Sequence, residues 1–374
     1  MIKLLFFIDT TLASGGAEKV LCKLVNNLDP EEFDVTVQTL WPEDAERYLV
    51  PNVHYRSVFP VKNKLNKLRF RIEAKLGLVY EKHIKGDYDI EIAYLECGPT
   101  KIISGSSNQK AVKLAWVHCD LQRMTDDPVA FAEKAKKWYA KFDKVVCVSE
   151  QVMTSFRSMF GEELQSLVLY NTVDDVEIRE KANASGVKIP KQDRPVAATV
   201  GRMYHQKGYD RLLEAHHKLL QDGILYDLWI LGEGPERGML EKMVQDYGME
   251  ETVHFLGFQH NPYPFMKEAD LIVCSSRYEG LSTVITEALI LGKPVVTTPC
   301  SGMRELLGDS QYGLITEDSV EGIYSGMKKM LEDPTLRESY AQAAAQRGKA
   351  FSKAKRIAET ENFFRGVLEE KQKH

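Results

Sequence analysis

The sequence lacks several features that mark particular classes of protein. It has no stretch of about 18 apolar residues, so no segment is expected to cross a membrane. Its six cysteines are scattered without a C-x-x-C pair, which argues against a structural zinc site and fits a reducing cytosol. The apolar start MIKLLFFIDTT has no small-residue cleavage site and is predicted to be a strand rather than a signal peptide.

An excess of positive charge is also missing. The 374 residues carry a formal net charge of −5, so nucleic acid is not expected as a partner. A hydrophobic fraction of 44% is sufficient for substantial cores, and the length suggests two domains rather than one. We therefore expect a two-domain cytoplasmic protein.

Short apolar runs alternate with helical patterns in two series. Six strand candidates precede residue 172: IKLLFFI, DVTVQTL, IEIAYL, VKLAWVH, KVVCVS and SLVLYN. A second series begins at VAATVGR and continues with YDLWILG, VHFLG, LIVCSS, PVVTTP and GLIT. The charged stretch DDVEIREKANASGVKIPKQDRP between them is predicted to be a linker. Two such series predict an α/β protein with two doubly wound parallel sheets, in domains 1–185 and 186–351.

Ligands of such sheets bind at the carboxyl ends of the strands, so the residues that follow each strand are candidates. Gly15 and Gly16 follow the first strand and precede a predicted helix, where backbone N–H groups can meet an anion. A plain flexible loop is the alternative. Arg202 and Lys207 follow the first strand of the second series, and two cations near a helix start favour a phosphate ligand over ordinary surface charge.

One stretch approaches a dinucleotide fingerprint. Gly232 begins the pattern G-x-G-x-x-x-G after a predicted strand, but the next strand ends in Gly257 and Phe258 rather than in an acidic residue. This favours a nucleotide base or ribose edge over NAD.

Two glutamates lie eight positions apart around a helix start. Glu279 is on the loop after LIVCSS, Ser282 is the expected cap of a helix that begins near Thr283, and Glu287 lies one turn inside it. Carboxylates suit sugar diols, and the N–H groups at a helix start suit phosphate. The alternative is that both glutamates are solvated helix charges. The backbone N–H groups at this helix start that could bind phosphate are those of Gly280, Leu281 and Ser282.

The stretch E-G-L-S-x-x-x-x-E-A-x-x-x-G-K-P-V-V resembles the E-x7-E signature of retaining glycosyltransferases of family 4, which have the GT-B fold. Further segments are similar to that family in the same order and cover nearly the whole chain: GGAEKVL, WVHCD, VVCVSE, YNTVD, GRMYHQKG, LGEGPER and VHFLGF. In YNTVD, Thr172 stands where the family usually has a glycine. The resemblance implies two Rossmann-like domains facing a central cleft, with a C-terminal helix at 352–374 packing back on the first domain.

The resemblance also implies an activity and roles for residues. The activity is transfer of a hexose or N-acetylhexosamine from a nucleotide-sugar, most commonly a UDP-sugar, to a saccharide or lipid-linked saccharide in polysaccharide assembly, such as that of a capsule. Arg202 and Lys207 would hold the diphosphate, Glu279 the donor sugar and Glu287 the ribose. The implied catalytic residues are His118, Arg202, Lys207 and Glu279. The implied donor-binding residues are Gly15, Gly16, Arg202, Lys207, Gly232, Phe258, Glu279, Gly280, Leu281, Ser282, Thr283 and Glu287.

No cofactor and no metal are expected, because the nucleotide-sugar is a substrate and two cations are available for its phosphates. Asp87 and Asp89 form a D-x-D pattern like that of a metal site in another glycosyltransferase fold, but they lead into a strand at its amino end. Two alternatives stay open: a nucleotide-sugar epimerase or hydrolase, and a non-catalytic sugar-nucleotide-binding protein on the same fold.

Residues 61–85 carry eight Lys or Arg and only two Glu. Apolar residues recur at helical spacing within this segment: Leu65, Leu68, Ile72 and Leu76. One prediction is a basic amphipathic helix that docks on anionic lipid at the inner face of the cell membrane. The other is an ordinary helix with its apolar stripe on the core and a solvated basic face.

Overall fold

The computed structural model describes residues 1–12, 15–190 and 193–373, and the chain divides into two compact units. The first unit contains Met1–Thr172 and Ala354–His374, and the second contains Val173–Lys353. Position 374, the last residue of the expected C-terminal helix, lies outside the described residues. Each unit is a parallel sheet with helices, so the predicted α/β class with two Rossmann-like domains is confirmed.

The first unit contains a seven-stranded sheet with the order β3-β2-β1-β4-β5-β6-β7. All neighbouring strands are parallel. The strands are β1 (Ile2–Ile8), β2 (Phe33–Thr39), β3 (His54–Ser57), β4 (Ile90–Ala93), β5 (Val112–Val117), β6 (Lys144–Cys147) and β7 (Ser166–Val168). The helices are α1 (Gly16–Val25), α2 (Lys64–Leu76), α3 (Val79–His83), α4 (Gly98–Ile103), α5 (Leu121–Met124), α6 (Pro128–Tyr139) and α7 (Glu150–Phe160).

The second unit contains a six-stranded sheet with the order β10-β9-β8-β11-β12-β13, again parallel throughout. The strands are β8 (Val196–Val200), β9 (Asp227–Leu231), β10 (Val253–Gly257), β11 (Leu271–Cys274), β12 (Val295–Thr297) and β13 (Leu314–Ile315). The helices are α8 (Asp175–Ala182), α9 (Tyr209–Gln221), α10 (Arg237–Asp246), α11 (Tyr263–Glu268), α12 (Thr283–Ile290), α13 (Met303–Leu307), α14 (Val320–Glu332) and α15 (Pro334–Gly348). The final helix of the chain is α16 (Lys353–Lys373).

The strand order reverses at one place in each sheet. In the first unit this place is between β1 and β4, and in the second it is between β8 and β11. The loops that leave neighbouring strands at such a point diverge and leave a crevice at their carboxyl ends. The residues after β1, β4, β8 and β11 are therefore the ones that the topology places for binding.

The stretch predicted to be a linker begins with a helix. Asp174 caps α8 by accepting a hydrogen bond from the backbone N–H of Glu177 at 3.0 Å, and Ile178 and Ala182 are buried. Since α8 packs on α11 and α12, it belongs to the second unit. The first unit consequently ends at Thr172, earlier than the expected boundary at 185.

Helix α16 packs on the first unit through aromatic side chains. Phe364 is fully buried, and its ring centroid lies 6.2 Å from that of Phe6 and 6.1 Å from that of Phe33. Arg365 forms an ion pair with Glu32 at 2.6 Å. The tail of the chain thus supplies part of the core of the first unit, and the other apolar residues that face this unit are Ile357 and Val367, with Phe363 half-buried.

The apolar stripe of α2 does not lie on the core. Leu65, Leu68, Ile72 and Leu76 are 73%, 55%, 51% and 64% exposed. The side that faces the unit carries Phe70 and Ala74, which pack on a core cluster, and the buried Glu73 lies beside them. The alternative of an ordinary helix with its stripe on the core is therefore wrong.

Among residues 1–12, 15–190 and 193–373, none of the helices combines the length and the apolar character needed to cross a bilayer.

Candidate active site

The loops after β8 and β11 are braced against each other by hydrogen bonds. Arg277 makes a bidentate ion pair with Asp210, at 2.8 and 2.5 Å, and its backbone N–H donates to the carbonyl of Gln206 at 2.7 Å. The side-chain amide of Gln206 donates to the carbonyl of Tyr278 at 3.0 Å. These bonds fix the positions of the two loops before any ligand binds.

The braced loops bring Lys207 and Glu279 into contact. The Lys207 ammonium lies 2.6 Å from Glu279 Oε1, and the Ser276 hydroxyl donates to the same oxygen at 2.6 Å. Burial by itself would lower the pKa of Lys207, but the attraction of Glu279 outweighs burial and holds that pKa above its ordinary value. Lys207 therefore keeps its positive charge in the second unit, next to a pocket lined by Ser276 and Ser282.

The sequence predicts that Lys207 opens the next helix, and this prediction is wrong, because Lys207 ends a short 3-10 turn. The turn covers His205–Lys207, and α9 begins only at Tyr209. Gly208 between them has φ +61, and a Cβ there would lie 2.3 Å from the carbonyl oxygen of Ser275. Only glycine fits this close approach, which sets the direction in which Lys207 leaves the backbone.

Arg202 is exposed and lies on an aromatic ring. Its guanidinium carbon is 5.3 Å from the ring centroid of Tyr204, which is itself 47% exposed. Within the part of the chain that the structure describes, no carboxylate forms an ion pair with Arg202. The site thus contains two cations. Lys207 forms an ion pair with Glu279, and Arg202 lies against the ring of Tyr204.

The two glutamates are not solvated helix charges. Glu279 and Glu287 are both 7% exposed, so that alternative is wrong. Helix α12 begins at Thr283, and Ser282 caps it by accepting from the backbone N–H of Ile285 at 3.4 Å. Glu287 lies in the second turn.

Glu287 has a partner that the sequence did not indicate. Its Oε1 accepts a hydrogen bond from the hydroxyl of Tyr263, at the start of α11, at 3.1 Å. Burial and the neighbouring Glu287 raise the pKa of Tyr263, which therefore stays a hydrogen-bond donor. Tyr263 holds one oxygen of Glu287 in a defined direction.

Gly232 is required by contacts between loops. It has φ +142, and a Cβ on it would lie 1.9 Å from the carbonyl oxygen of Gly201. Its N–H donates to the carbonyl of Gly257 at 2.8 Å, which joins the loops after β9 and β10. Phe258 follows directly and is 52% exposed, with its ring centroid 5.0 Å from that of His260. An exposed ring at this edge is available for stacking.

Three predicted residues belong to the first unit. Gly15 caps α1, which begins at Gly16, and positions 13 and 14 just before them lie outside the described residues. His118 directly follows β5, and burial lowers its pKa to about 3, so its imidazole is neutral. The remaining predicted residues all belong to the second unit.

Asp87 and Asp89 precede β4 at its amino end, and a side-chain oxygen of Asp89 accepts from the backbone N–H of Lys3 at 2.8 Å. Within the described residues, no three His, Cys, Asp or Glu side chains come together in a way that could hold a metal ion.

Sequence reasoning missed Ser276, Tyr263 and the Arg277–Asp210 brace. Ser276 could have been found, since it follows a buried strand in the same way as Arg202. The other contacts join residues far apart in the sequence, and Arg277 and Asp210 are separated by 67 positions. No local pattern marks such a pair.

The chain is similar in sequence to proteins of one family. The family model "Glycosyl transferases group 1" matches residues 181–347. The lipopolysaccharide core biosynthesis glycosyltransferase LpsD of Rhizobium meliloti is 30% identical over 363 residues, which cover 94% of this chain and 96% of that protein. An N-acetylgalactosamine-N,N'-diacetylbacillosaminyl-diphospho-undecaprenol 4-alpha-N-acetylgalactosaminyltransferase of Campylobacter jejuni is 29% identical over 357 residues, which cover 92% of this chain and 94% of that protein.

The fold is that of solved structures with low sequence identity. The structure of Anabaena HepE in complex with UDP and glucose superposes with a TM-score of 0.75 at 19% identity, over 97% of this chain and 99% of that chain.

Proposed function

The chain belongs to the group 1 glycosyl transferases, and we propose that it is a retaining enzyme that transfers a hexose or N-acetylhexosamine from a UDP-sugar. The observation that carries the proposal is the contact of Lys207 with Glu279 beside the start of α12. A cation, a buried carboxylate and a helix start are combined there, and these are the groups that phosphate and sugar hydroxyls require.

Each part of the donor has a proposed partner. Arg202 and Lys207 hold the diphosphate and stabilise the charge that develops on it as the leaving group. Glu279 binds hydroxyls of the donor sugar, and Glu287, oriented by Tyr263, binds the ribose. The base lies against Phe258. The backbone of Gly280, Leu281, Ser282 and Thr283 supports the phosphate and the sugar.

The proposed reaction proceeds on one face of the sugar. The bond from the anomeric carbon to the diphosphate breaks, and the acceptor oxygen forms its bond on the same side. The acceptor proton passes to an oxygen of the leaving phosphate. This reaction needs no enzymatic nucleophile, and it predicts that the anomeric configuration of the donor is kept, which proton NMR of the first-formed product measures. Inversion would contradict the proposed mechanism.

We propose that the reaction needs no metal or other cofactor, since Arg202 and Lys207 are two cations that can neutralise the phosphates. Activity is expected to survive EDTA treatment. Loss of activity that manganese or magnesium restores would contradict this and would direct attention to Asp87 and Asp89.

The acceptor is proposed to be a saccharide carried on a lipid during assembly of a surface polysaccharide, such as a capsule or lipopolysaccharide. The support comes from relatives: LpsD is named for lipopolysaccharide core biosynthesis, and the Campylobacter jejuni protein for a diphospho-undecaprenol acceptor. A protein of Erwinia amylovora that is 25% identical over 351 residues is named for amylovoran biosynthesis.

A donor panel tests the proposed function. Melting temperatures are measured with UDP-, GDP- and ADP-sugars, and products are then followed with the sugar that binds. The expected result is a shift with a UDP-sugar and a new glycosidic product only when an acceptor is added. Sugar isomerisation, hydrolysis without acceptor as the only reaction, or binding without any turnover would each replace the transferase by one of the other classes.

We propose further that the enzyme works in the cytoplasm and docks on the inner face of the membrane through α2. The support is the exposed apolar stripe on this helix, which is flanked by exposed basic residues at positions 64, 67, 71 and 75. An exposed apolar stripe with basic flanks fits an interface of acyl chains and anionic headgroups. Water does not offer the apolar side chains of this stripe a comparable interaction.

Helix α2 is fastened to α3 by charge. The buried Glu73 accepts from Arg69 at 2.8 Å, from His83 at 2.7 Å and from Lys82 at 3.1 Å. Burial alone would raise the pKa of Glu73, but these hydrogen bonds lower it to about 2, so the anchor stays charged. Arg69 therefore serves the fold, and a docking test should leave it unchanged.

The docking test reverses the charge of Lys64, Lys67 and Arg71 by substitution with Glu and measures co-sedimentation with vesicles. Each basic residue contributes about 1 kcal/mol, so the variant should bind at least about a hundredfold more weakly to vesicles that contain phosphatidylglycerol. The matched control reverses three exposed lysines on α6 and should bind like the unchanged protein: Lys134, Lys136 and Lys137. Binding that does not depend on anionic lipid, or that persists in the α2 variant, would end this proposal.

A further inference from the structure

Arg211 on α9 contacts the backbone that follows β11 in the second unit. Its Nη2 donates to the carbonyl of Ser275 at 2.7 Å and to the carbonyl of Ser276 at 3.0 Å. Its Nη1 forms an ion pair at 2.7 Å with Asp318, which follows β13. The Arg211 side chain is only 13% exposed. One arginine therefore links α9 to the segments that follow two strands of the sheet.

The two carbonyls belong to the peptide groups on either side of the Ser276 Cα. A peptide group is planar, so a bond that holds its carbonyl orients the whole group. The second of these groups is also held at its other end, because the N–H of Arg277 donates to the carbonyl of Gln206 at 2.7 Å. With both flanking groups held, the backbone dihedral angles of Ser276 have little freedom, and the direction of its side chain is set.

Thr298 holds the Ser276 carbonyl from another element. Its hydroxyl donates to that oxygen at 2.6 Å, and the thiol of Cys300 donates to it at 2.9 Å. Both residues follow β12, and both are buried. A carbonyl oxygen has two lone pairs, so three donors leave it no vacant acceptor position. The Ser276 carbonyl is thus held both from α9 and from the loop after β12.

The side chain that is oriented in this way contacts Glu279. The Ser276 hydroxyl donates to Glu279 Oε1 at 2.6 Å, and the same oxygen contacts the Lys207 ammonium at 2.6 Å. Glu279 is buried and lies on a loop, outside any helix or strand. The direction of its carboxylate therefore depends on these side-chain contacts. Since Oε1 already accepts from two donors, Oε2 is the oxygen that suits a further hydroxyl.

We propose that Arg211 and Thr298 are positioning residues, which act through Ser276 to hold Glu279 toward a hydroxyl of the transferred sugar. The proposal rests on the proposed function, in which the donor carries that sugar. Neither residue needs to touch the donor. Because Glu279 is oriented before the sugar arrives, its hydrogen bond forms without the cost of ordering the carboxylate.

The test titrates Arg211→Lys with UDP and with the UDP-sugar that the donor panel identifies, in the absence of acceptor. Lysine keeps the positive charge but has no planar fork with which to hold two carbonyls and a carboxylate. The variant should bind the UDP-sugar at least about tenfold more weakly and UDP less than about threefold more weakly, because only the sugar is held through Glu279. Equal weakening of both ligands, or no change for either, would overturn the proposal.

Arg337→Lys is the matched control. Arg337 Nη1 also donates to backbone carbonyls, those of Met330 at 2.8 Å and Leu331 at 3.4 Å, at the opposite end of α14 from Asp318. The substitution removes the same kind of contact far from Glu279, so both dissociation constants should stay within about twofold of those of the unchanged protein. A selective loss of the UDP-sugar in this variant would contradict the role given to Arg211.

Two milder variants, Thr298→Val and Ser276→Ala, keep the proposal testable if Arg211→Lys folds poorly. Each removes one hydroxyl with little change of shape and should weaken binding of the UDP-sugar, but not of UDP, at least about fivefold. UDP-sugar binding that is unchanged in either variant would overturn the proposal.

A double variant tests whether Arg211 acts through Ser276. If it does, the chain with Arg211→Lys and Ser276→Ala should bind the UDP-sugar within about twofold of Ser276→Ala alone. Two losses that add in full would overturn the proposal. Failure of UDP to bind the unchanged protein would instead contradict the proposed function, so the two failures are distinguishable.

Discussion

At the residue scale, the contacts within the candidate site occupy individual oxygen atoms of its carboxylates. Glu279 Oε1 receives both the Lys207 ammonium and the Ser276 hydroxyl. Tyr263 occupies an oxygen of Glu287 in the same way. Each contact orients a carboxylate that would otherwise rotate, and such preorganisation is what an enzyme needs to stabilise charge without first moving its dipoles.

Substitution of Arg202 and of Lys207 by alanine is expected to affect the transfer rate alike but the free energy of unfolding differently. Arg202→Ala and Lys207→Ala should each lower the transfer rate at least about tenfold, since a lost charged contact costs about 1.5–3 kcal/mol. Lys207→Ala should also lower the free energy of unfolding, because it leaves the buried Glu279 without its cation. Arg202→Ala should not, because Arg202 is exposed. Steady-state kinetics and urea titration measure the two effects.

The matched control for these variants is Lys242→Ala, which removes an exposed lysine of the same unit and should change neither quantity. Unchanged kinetics in both Arg202→Ala and Lys207→Ala would refute the assignment of the phosphate site.

Asp9 gives the protein a specific pH dependence. Burial, with repulsion from Glu96 and Glu18, raises the pKa of Asp9 from 3.8 to about 6. The folded protein then holds a proton that the unfolded chain has released, so this group lowers stability as the pH rises from about 4 to 6. Asp9→Asn should raise the free energy of unfolding at pH 8 by up to about 3 kcal/mol and change it little at pH 3.5. Urea titrations at both pH values test this, and an equal gain at both would contradict it.

At the element scale, the strands and helices follow their local patterns except where the pattern is weak. The sequence analysis missed β3, whose residues are polar and alternate between exposed and half-buried because β3 is at the edge of its sheet. It also treated α8 as part of a linker. A capped helix of eight residues with two buried side chains resembles a charged loop until its partners α11 and α12 are known.

Substitution by alanine is expected to have opposite effects on stability at two glycines after β9, Gly232 and Gly238. Gly232→Ala should destabilise the second unit and abolish donor binding, because the new methyl group would lie 1.9 Å from the carbonyl oxygen of Gly201 and the φ of +142 disfavours alanine. Gly238→Ala is the control, since nothing lies within 4 Å of its Cβ position in α10. It should stabilise the helix by about 0.5–1 kcal/mol. Melting temperature and UDP affinity are the measurements, and equal effects would contradict the role given to Gly232.

At the scale of the whole molecule, the two units differ in how the chain builds them. The second unit is one continuous segment, Val173–Lys353, whereas the first needs residues from both ends of the chain. The buried Phe364 packs on Phe6 and Phe33, so removal of α16 would open the core of the first unit.

This difference predicts how stable each unit is when the chain is shortened. A protein made of residues 173–353 alone should unfold in one cooperative transition and bind UDP within about tenfold of the full chain, because it has its own core and contains both cations that we propose as phosphate ligands. A chain that ends at residue 353 should lose at least about 3–5 kcal/mol from the first unit, the amount typical of losing a buried phenylalanine. Calorimetry with and without UDP measures both, and a 173–353 segment that does not fold would contradict the prediction.

The sequence by itself determined the α/β class, the two sheets and the positions of Arg202, Lys207, Glu279 and Glu287 after strands or at a helix start. These features are local: burial on both faces makes a strand continuously apolar, and the order of strands and helices fixes which loops follow carboxyl ends. Only the tertiary structure decided that Lys207 contacts Glu279, that Tyr263 holds Glu287, that Arg211 holds the Ser276 carbonyl and that the stripe of α2 is exposed. Such contacts join residues that are distant in sequence, and their geometry depends on how the elements pack rather than on any single segment.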